Sequence, residues 1–273
     1  MMDAPFMKKQ EEYWLSMYNT KVPELNLYTD YARPKVISTE GKSLYTYVED
    51  ELIKSIDELS RTRMTTRFMS MFAAYYILLY KYTDINDIVV GSSVEGRALK
   101  DMENVGGAFI GTVALRSRLN PGLTFTEYLQ EVKEMILNAY DNSDYQLDCL
   151  LENINFQHDP SKNPLFDTMF ISAVSKNKGQ KIELEGLRFE KYPIHNQGSK
   201  VDLLFELIQE DNRLLLEIQF AVKLYREETV IKIRDNYFHI IRQVCENPEI
   251  LLRDLKLINS VEKKRPHIPV FDI

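Results

Sequence analysis

The chain has 273 residues, 44% of them hydrophobic, and a formal net charge of -7, enough apolar content for one large domain or two small ones. Basic residues cluster only at Lys263, Lys264 and Arg265, so the acidic balance excludes a general nucleic-acid or anionic-membrane binder. The two cysteines, Cys149 and Cys245, form no C-x-x-C pair, which excludes a disulfide scaffold or thiolate zinc site and fits a reducing cytoplasm.

MMDAPFMKKQEEYW has no apolar run of the signal-peptide kind, and residues 1–12 are expected to be linker. Glu11 to Asn19 predicts a short helix, followed by an extended, proline-containing stretch from Val22 to Pro34. SLYTYVED alternates like a strand, and Leu52 to Arg61 has helical spacing. FMSMFAAYYILLY is apolar on every side but short of the ~20 residues of a membrane span, so it predicts a buried helix. DIVVGSSV is β-branched and predicts a strand stopped by Gly91.

FIGTVALRSRL predicts the next strand, ended by Asn120-Pro121-Gly122, and Thr124 with Glu127 is a capping box opening a helix. Phe125, Leu129, Val132, Ile136 and Ala139 form its apolar stripe. A second helix is expected around Asp148 to Asn155, then a strand in LFDTMFISAV and another in IELEGLRFEKYP. VDLLFELIQ and RLLLEIQFAV flank a turn and read as a hairpin. Glu227 to Glu246 is a long helix burying Val230, Ile233, Tyr237, Ile240, Ile241 and Val244, stopped by Asn247-Pro248. The mixture predicts an α/β (α+β) fold, a mixed β-sheet flanked by helices. Residues 261–273 are basic and proline-containing and are expected to be a tail, disordered or packed on the surface.

No complete catalytic constellation emerges from the residues. The four histidines lack metal-ligand spacing, and no H-E-x-x-H is present, so no metal site is expected. GSSVEGR has the wrong spacing for a nucleophile elbow, and Gly106, Gly107 and Gly111 do not form a phosphate-binding G-x-G-x-x-G. These glycines instead suit a backbone bend or a close approach.

The stretch His158 to Phe170, HDPSKNPLFDTMF, is more particular than a spacer. Asp159 and Ser161 suit an Asx- or Ser-turn, Asn163 is biased to extended backbone by the following proline, and Pro164 fixes φ at a strand start. Strict alternation then puts Phe166, Thr168 and Phe170 on one side of the sheet and Asp167, Met169 and Ile171 on the other.

Six segments, EEYWLSMY, DIVVGSSVEGR, VGGAFIGTVALR, NSDYQLDCLLE, DPSKNPLFDTMF and SKVDLLFELIQ, occur in the order and spacing of the condensation domain of nonribosomal peptide synthetases, which the chain resembles over Glu11 to about Ile258. The resemblance implies one lobe of a chloramphenicol-acetyltransferase-like V-shaped domain, the C-terminal lobe alone, over residues 13–260. The family's H-H-x-x-x-D-G, whose second histidine is associated with peptide-bond formation, belongs to the other lobe, and this sequence contains no His-His.

By that resemblance, Gly107, Phe109, Gly111, Thr112 and Ser172 are the candidates bordering the substrate tunnel. Gly91, Arg97, Asp159, Ser161, Asn163, Pro164 and Asp202 are structural motif residues, and no catalytic residue is assigned. No cofactor is expected to bind directly; phosphopantetheine would arrive on carrier domains. The implied partners are peptidyl or aminoacyl carrier domains and the missing N-terminal lobe, with neither nucleic acid nor membrane. A lone lobe is expected to self-associate through its exposed face. Gly111 stands where the family has asparagine, Ala108 where it has an aromatic residue, Lys162 where it has arginine, and Phe220-Ala221-Val222-Lys223 where it has a Y-N-T-D-like run. NSDYQLD lacks the histidine, proline and phenylalanine of H-Q-D-x-P-F-E. The alternative readings are a naturally truncated, non-catalytic lobe that binds carriers or a partner, and a free acyl-CoA acyltransferase sharing the fold.

Overall fold

The computed structural model describes residues 5–95, 106–107, 110–154, 159–174, 198–210 and 213–258. Arg97, Phe109, the IELEGLRFEKYP strand and the tail from 261 lie outside these residues.

Six strands form one mixed sheet in the order β1-β6-β5-β4-β2-β3. They are β1 (Gly41–Tyr47), β2 (Asp87–Glu95), β3 (Ile110–Arg118), β4 (Thr168–Val174), β5 (Leu203–Glu210) and β6 (Arg213–Ala221). The central β2, β4 and β5 run parallel, while the β1–β6, β5–β6 and β2–β3 pairs are antiparallel. The expected hairpin is present, with Glu210 opposite Arg213.

One face of the sheet is roofed by α2 (Asp50–Thr62), α3 (Arg67–Thr83), α4 (Phe125–Asp141) and α6 (Glu227–Glu246). The apolar run predicted to be a buried helix is α3, with Met69 to Leu79 buried on all sides. It is enclosed because α2, α4 and α6 flank it while β2 and β4 lie beneath it. Phe72 and Tyr75 of α3 pack on Phe170 of β4, which stacks on Phe72 at 5.1 Å, and each fully buried ring contributes about 2–3 kcal/mol of apolar transfer.

On the other face lie α1 (Pro5–Met17) and α5 (Leu147–Asn153). Helix α1 begins at Pro5 rather than Glu11, so the expected linker is folded from residue 5 onward. The reason is lateral: buried Gln10 donates to the Asp144 carboxylate at 3.0 Å and accepts from the Tyr145 amide, while Trp14 Nε1 donates to the Asn142 carbonyl at 2.8 Å. Arg116 of β3 anchors the end of α1, pairing with Asp87 and donating to the carbonyls of Met17, Thr20 and Lys21.

Two expectations about strand geometry are overturned. Gly91 does not stop β2, which continues through it to Glu95 with Gly91 paired to Ala114 on one side and Met169 on the other. Strand β4 starts at Thr168, later than the expected Leu165, and Phe166 does not share the side of Thr168 and Phe170. Ala114 points to the same face as Arg116, the face of α1, and so does the position opposite it, Gly91. A Cβ at Gly91 would meet the Phe166 ring at 2.5 Å, so that ring lies on the α1 face. The cause is Leu165 at φ 64, with the Phe166 amide donating back to the Pro164 carbonyl at 2.8 Å. This γ-turn with positive φ at its centre is the strained form of that turn, and it breaks the alternation just before the strand begins.

The capping box at α4 is intact: Thr124 Oγ1 accepts from the Glu127 amide at 3.2 Å, and the Glu127 carboxylate accepts from the Thr124 amide at 2.8 Å. Thr124→Ala is expected to lower unfolding stability by about 1 kcal/mol, read as a shift of the urea midpoint at unchanged slope. An unchanged midpoint would mean that the tertiary contacts of α4 alone hold its first turn.

Candidate functional site

The motif residues gather at the amino ends of β4 and β5. Asp159 Oδ1 accepts from the Ser161 amide at 2.8 Å and from its hydroxyl at 2.7 Å, forming the expected Asx-turn, and the Ser161 amide holds that carboxyl below the usual range. Asn163 Nδ2 donates to the Lys200 carbonyl at 2.8 Å, tying this loop to the approach to β5. Pro164 then enters the γ-turn that aims Phe166 at Gly91.

Asp202 stands just before β5 and is buried. The sequence reading missed its partner, Arg33, in a stretch read only as extended. The Arg33 guanidinium forms a two-pronged pair with the Asp202 carboxylate, and Nη1 also donates to the Ser161 carbonyl at 3.1 Å. The only available signal was one arginine before a proline in a polar segment, which says nothing about a carboxylate far along the chain.

Arg33 belongs to a strap, residues 18–40, fastened at several further points. Asp30 accepts from the Arg226 amide at 2.8 Å and the Thr229 hydroxyl at 2.9 Å, so the strap caps the start of α6, whose own N-cap side chain makes no bond there. The Asp30 and Tyr31 amides donate to Leu224, and the Ile37 amide donates to Pro160 at 2.8 Å. Between strap and motif loop lies a cleft of about 1040 Å³, lined among others by Tyr18, Leu25, Val89, Ile154, Phe166 and Asp167. The Lys162–Glu24 pair, 2.7 Å apart, joins its two walls.

The tunnel candidates gather at the opposite end of the sheet. Thr112 pairs with Ser93 and Gly111 with Val94 in the last residues of β2 and the first of β3. Ser172 lies three residues beyond Met169, as Val94 lies three beyond Gly91, so the register that pairs Gly91 with Met169 brings Ser172 level with Val94 and Gly111. Ser172 and Gly107 are exposed, while Gly111 and Thr112 are half-buried. Here the three parallel strands end together, the edge at which open α/β sheets bind ligands.

The two strand glycines have different causes. A Cβ at Gly91 would collide with three Phe166 ring atoms at 2.5–2.8 Å, whereas one at Gly111 would meet, among the described residues, only the Val94 methyl, at 3.1 Å. Among the described residues, packing therefore demands glycine at 91, while at 111 an added methyl needs only the Val94 methyl to give by a few tenths of an ångström. Nearby, Ser92 Oγ donates to the Phe170 carbonyl at 2.9 Å, and Thr168 is bonded to Tyr75 and to the Leu203 carbonyl, which locks β4 in register. Among the described residues, no histidine, cysteine and carboxylate group gathers to hold a metal ion, and no helix is long and apolar enough to cross a membrane. His239, the one histidine among them, sits half-buried on α6.

A helix-roofed mixed sheet whose parallel strands end at a shared, partly exposed edge defines an open-sheet α/β protein with an edge site. The chain belongs to the condensation-domain family, whose model matches residues 3–265. It is 36% identical over 264 residues to gramicidin S synthase 2 of Brevibacillus brevis and 37% identical over 257 residues to tyrocidine synthase 3 of Brevibacillus parabrevis. These alignments cover 97% and 94% of this chain but only 6% and 4% of those nonribosomal peptide synthetases. Among solved structures, the four-domain nonribosomal peptide synthetase holo-AB3403 matches with a TM-score of 0.85 at 18% identity, over 92% of this chain and 20% of that one. The condensation domain of the Monacolin K polyketide synthase MokA matches at 0.78 and 21% identity, over 90% and 59%. These two structures share the fold.

Proposed function

We propose that the chain is the C-terminal lobe of a nonribosomal peptide synthetase condensation domain, residues 13–260, with 261–273 leading away from it. Its sheet edge at Gly107, Gly111, Thr112 and Ser172 forms one wall of the tunnel in which carrier-tethered acyl and aminoacyl groups are joined as an amide. The observation carrying this reading is Gly111: a glycine whose added methyl would press, among the described residues, on a single side-chain methyl, at the exposed end of three parallel strands, in the segment that resembles the family's tunnel-lining strand.

In this reading the lobe acts by holding amine and thioester in line, so catalysis is proximity, and a base on the other lobe takes the amine proton. Phosphopantetheine comes with the carriers, and no residue of this chain is assigned to bind it. The setting is the cytoplasm, and the face turned to the other lobe drives self-association when that lobe is missing. The test supplies the H-H-x-x-x-D-G lobe in trans with two loaded carrier domains and follows amide product by mass spectrometry. Product that falls at least tenfold with Gly111→Leu is expected; absence of product from a correctly associated pair of lobes rejects the reading.

The second reading, a non-catalytic lobe that binds a partner, is favoured by one structural neighbour. The X-domain from teicoplanin biosynthesis, solved in complex with OxyB, matches with a TM-score of 0.80 at 20% identity. Tight carrier or partner binding without product would select it.

A further inference from the structure

The cluster around Arg33 contains a carboxyl that the proposed reaction does not use. Asp167 precedes β4, and its backbone carbonyl accepts from the Asp202 amide at 2.9 Å. Its carboxyl takes the Asn163 amide as a donor, yet Oδ1 is sealed from solvent with no hydrogen-bond partner among the described residues. The Tyr225 hydroxyl, also fully buried, is likewise without one. A buried oxygen left unbonded is rare and calls for a reason.

The groups facing Asp167 come from every segment packed there. They are Asp202 at the entry to β5, Arg33 on the strap, Lys162 on the motif loop and Tyr225 before α6. Asp159, on the same loop, faces Arg33 and Lys162. Arg33 is already committed to Asp202 through both its prongs, so Asp167 is a second carboxyl beside a cation that is taken. Asp167 is half-buried and also lines the cleft whose other wall is the strap, so lifting the strap would bring water to its sealed Oδ1.

We infer that Asp167 is a proton-operated clamp on the strap. Protonated, it lets the strap and motif loop close over the Arg33–Asp202 pair; ionised, it places a second buried negative charge there, which hydration relieves when the strap lifts and the cleft opens. Burial first, and the Asp202 charge second, push the Asp167 carboxyl up to about 6, with Arg33 opposing. A group whose pKa is higher in the closed state than in the open one favours closure at low pH. Its contribution is fully present below its ordinary value of 3.8 and is lost as pH rises through about 6.

Amide hydrogen exchange of the 273-residue chain tests this, corrected for the intrinsic pH dependence of exchange. The strap reporters are the Asp30, Tyr31 and Ile37 amides, and core amides of β5 and β6 serve as reference. Between pH 5 and pH 8 the strap opening constant is expected to rise by about 10-fold while the core changes far less. Asp167→Asn, nearly isosteric and unable to ionise, should flatten that response. Strap and core amides rising together, or an unchanged slope in the variant, would overturn the clamp. Should the variant fail to fold, carbon-13 titration of the Asp167 carboxyl alongside strap exchange in the unmutated chain decides: strap opening that follows a carboxyl midpoint near 6 supports the clamp, and a midpoint near 4, or opening that does not follow it, rejects it.

Discussion

Gly91→Ala is expected to destabilise the chain by about 2–3 kcal/mol, at the upper end of the usual range for overpacking. The new methyl would enter three atoms of the Phe166 ring at 2.5–2.8 Å, where contacts of real Cβ atoms essentially never occur. The backbone of Phe166 is fixed by the left-handed turn at Leu165, so relief requires the ring to leave its rotamer and turn into the cleft it lines. Nor can β2 move, since it is paired on both sides at Gly91 itself. A double-mutant cycle separates this clash from a loss of strand propensity. Phe166→Ala alone should cost about 3 kcal/mol, and adding Gly91→Ala to it should cost almost nothing more, a coupling of about 2 kcal/mol. Additive effects in urea unfolding would show that Phe166 is not what requires the glycine.

Arg33→Ala is expected to cost about 3–5 kcal/mol, the range seen when one partner of a buried pair is removed and its charge stays behind. Asp202, only 4% exposed at its side chain, would be left beside Asp167 without the guanidinium that pairs with it. Arg33→Lys should recover less than half of the loss, because an ammonium cannot make the two-pronged contact with Asp202 and reach the Ser161 carbonyl as well. Arg33→Met combined with Asp202→Leu should be far milder than either single change, since it removes the uncompensated charge rather than exposing it. Equal stability of Arg33→Ala and the parent by chemical denaturation would mean that water already screens the pair.

The elements whose signals are local were legible. The limits of α6, the β5–β6 hairpin and the Thr124–Glu127 box each follow from residues within a few positions of one another, and each is found as expected. The condensation-domain motifs likewise gave the family and the sheet-and-helix architecture. The errors arose where a distant contact or a single backbone angle decides. Gly91 reads as a strand end because glycine usually weakens strands, but here it makes room for a ring from a segment far downstream. The side taken by Phe166 follows from one positive φ at Leu165, a conformation a leucine rarely adopts and nothing in its neighbourhood advertises. Arg33 and Asp202 meet across most of the chain, and the periodicity of neither segment points to the other. At the edge site, the strand register places Gly111, Thr112 and Ser172 together, while resemblance alone had nominated them.

Strand β1 closes one end of the sheet by pairing with β6, Gly41 opposite Ala221, and the strap just before it caps α6. During synthesis, at ~5–20 residues per second, β1 therefore emerges roughly 10–40 s before the strand it pairs with exists. For that interval the ribosome carries a tethered segment with an unsatisfied strand edge and nowhere to dock. A nascent-chain protease assay should find cleavage in this region up to the moment β6 clears the exit tunnel, and chaperone occupancy should follow the same clock.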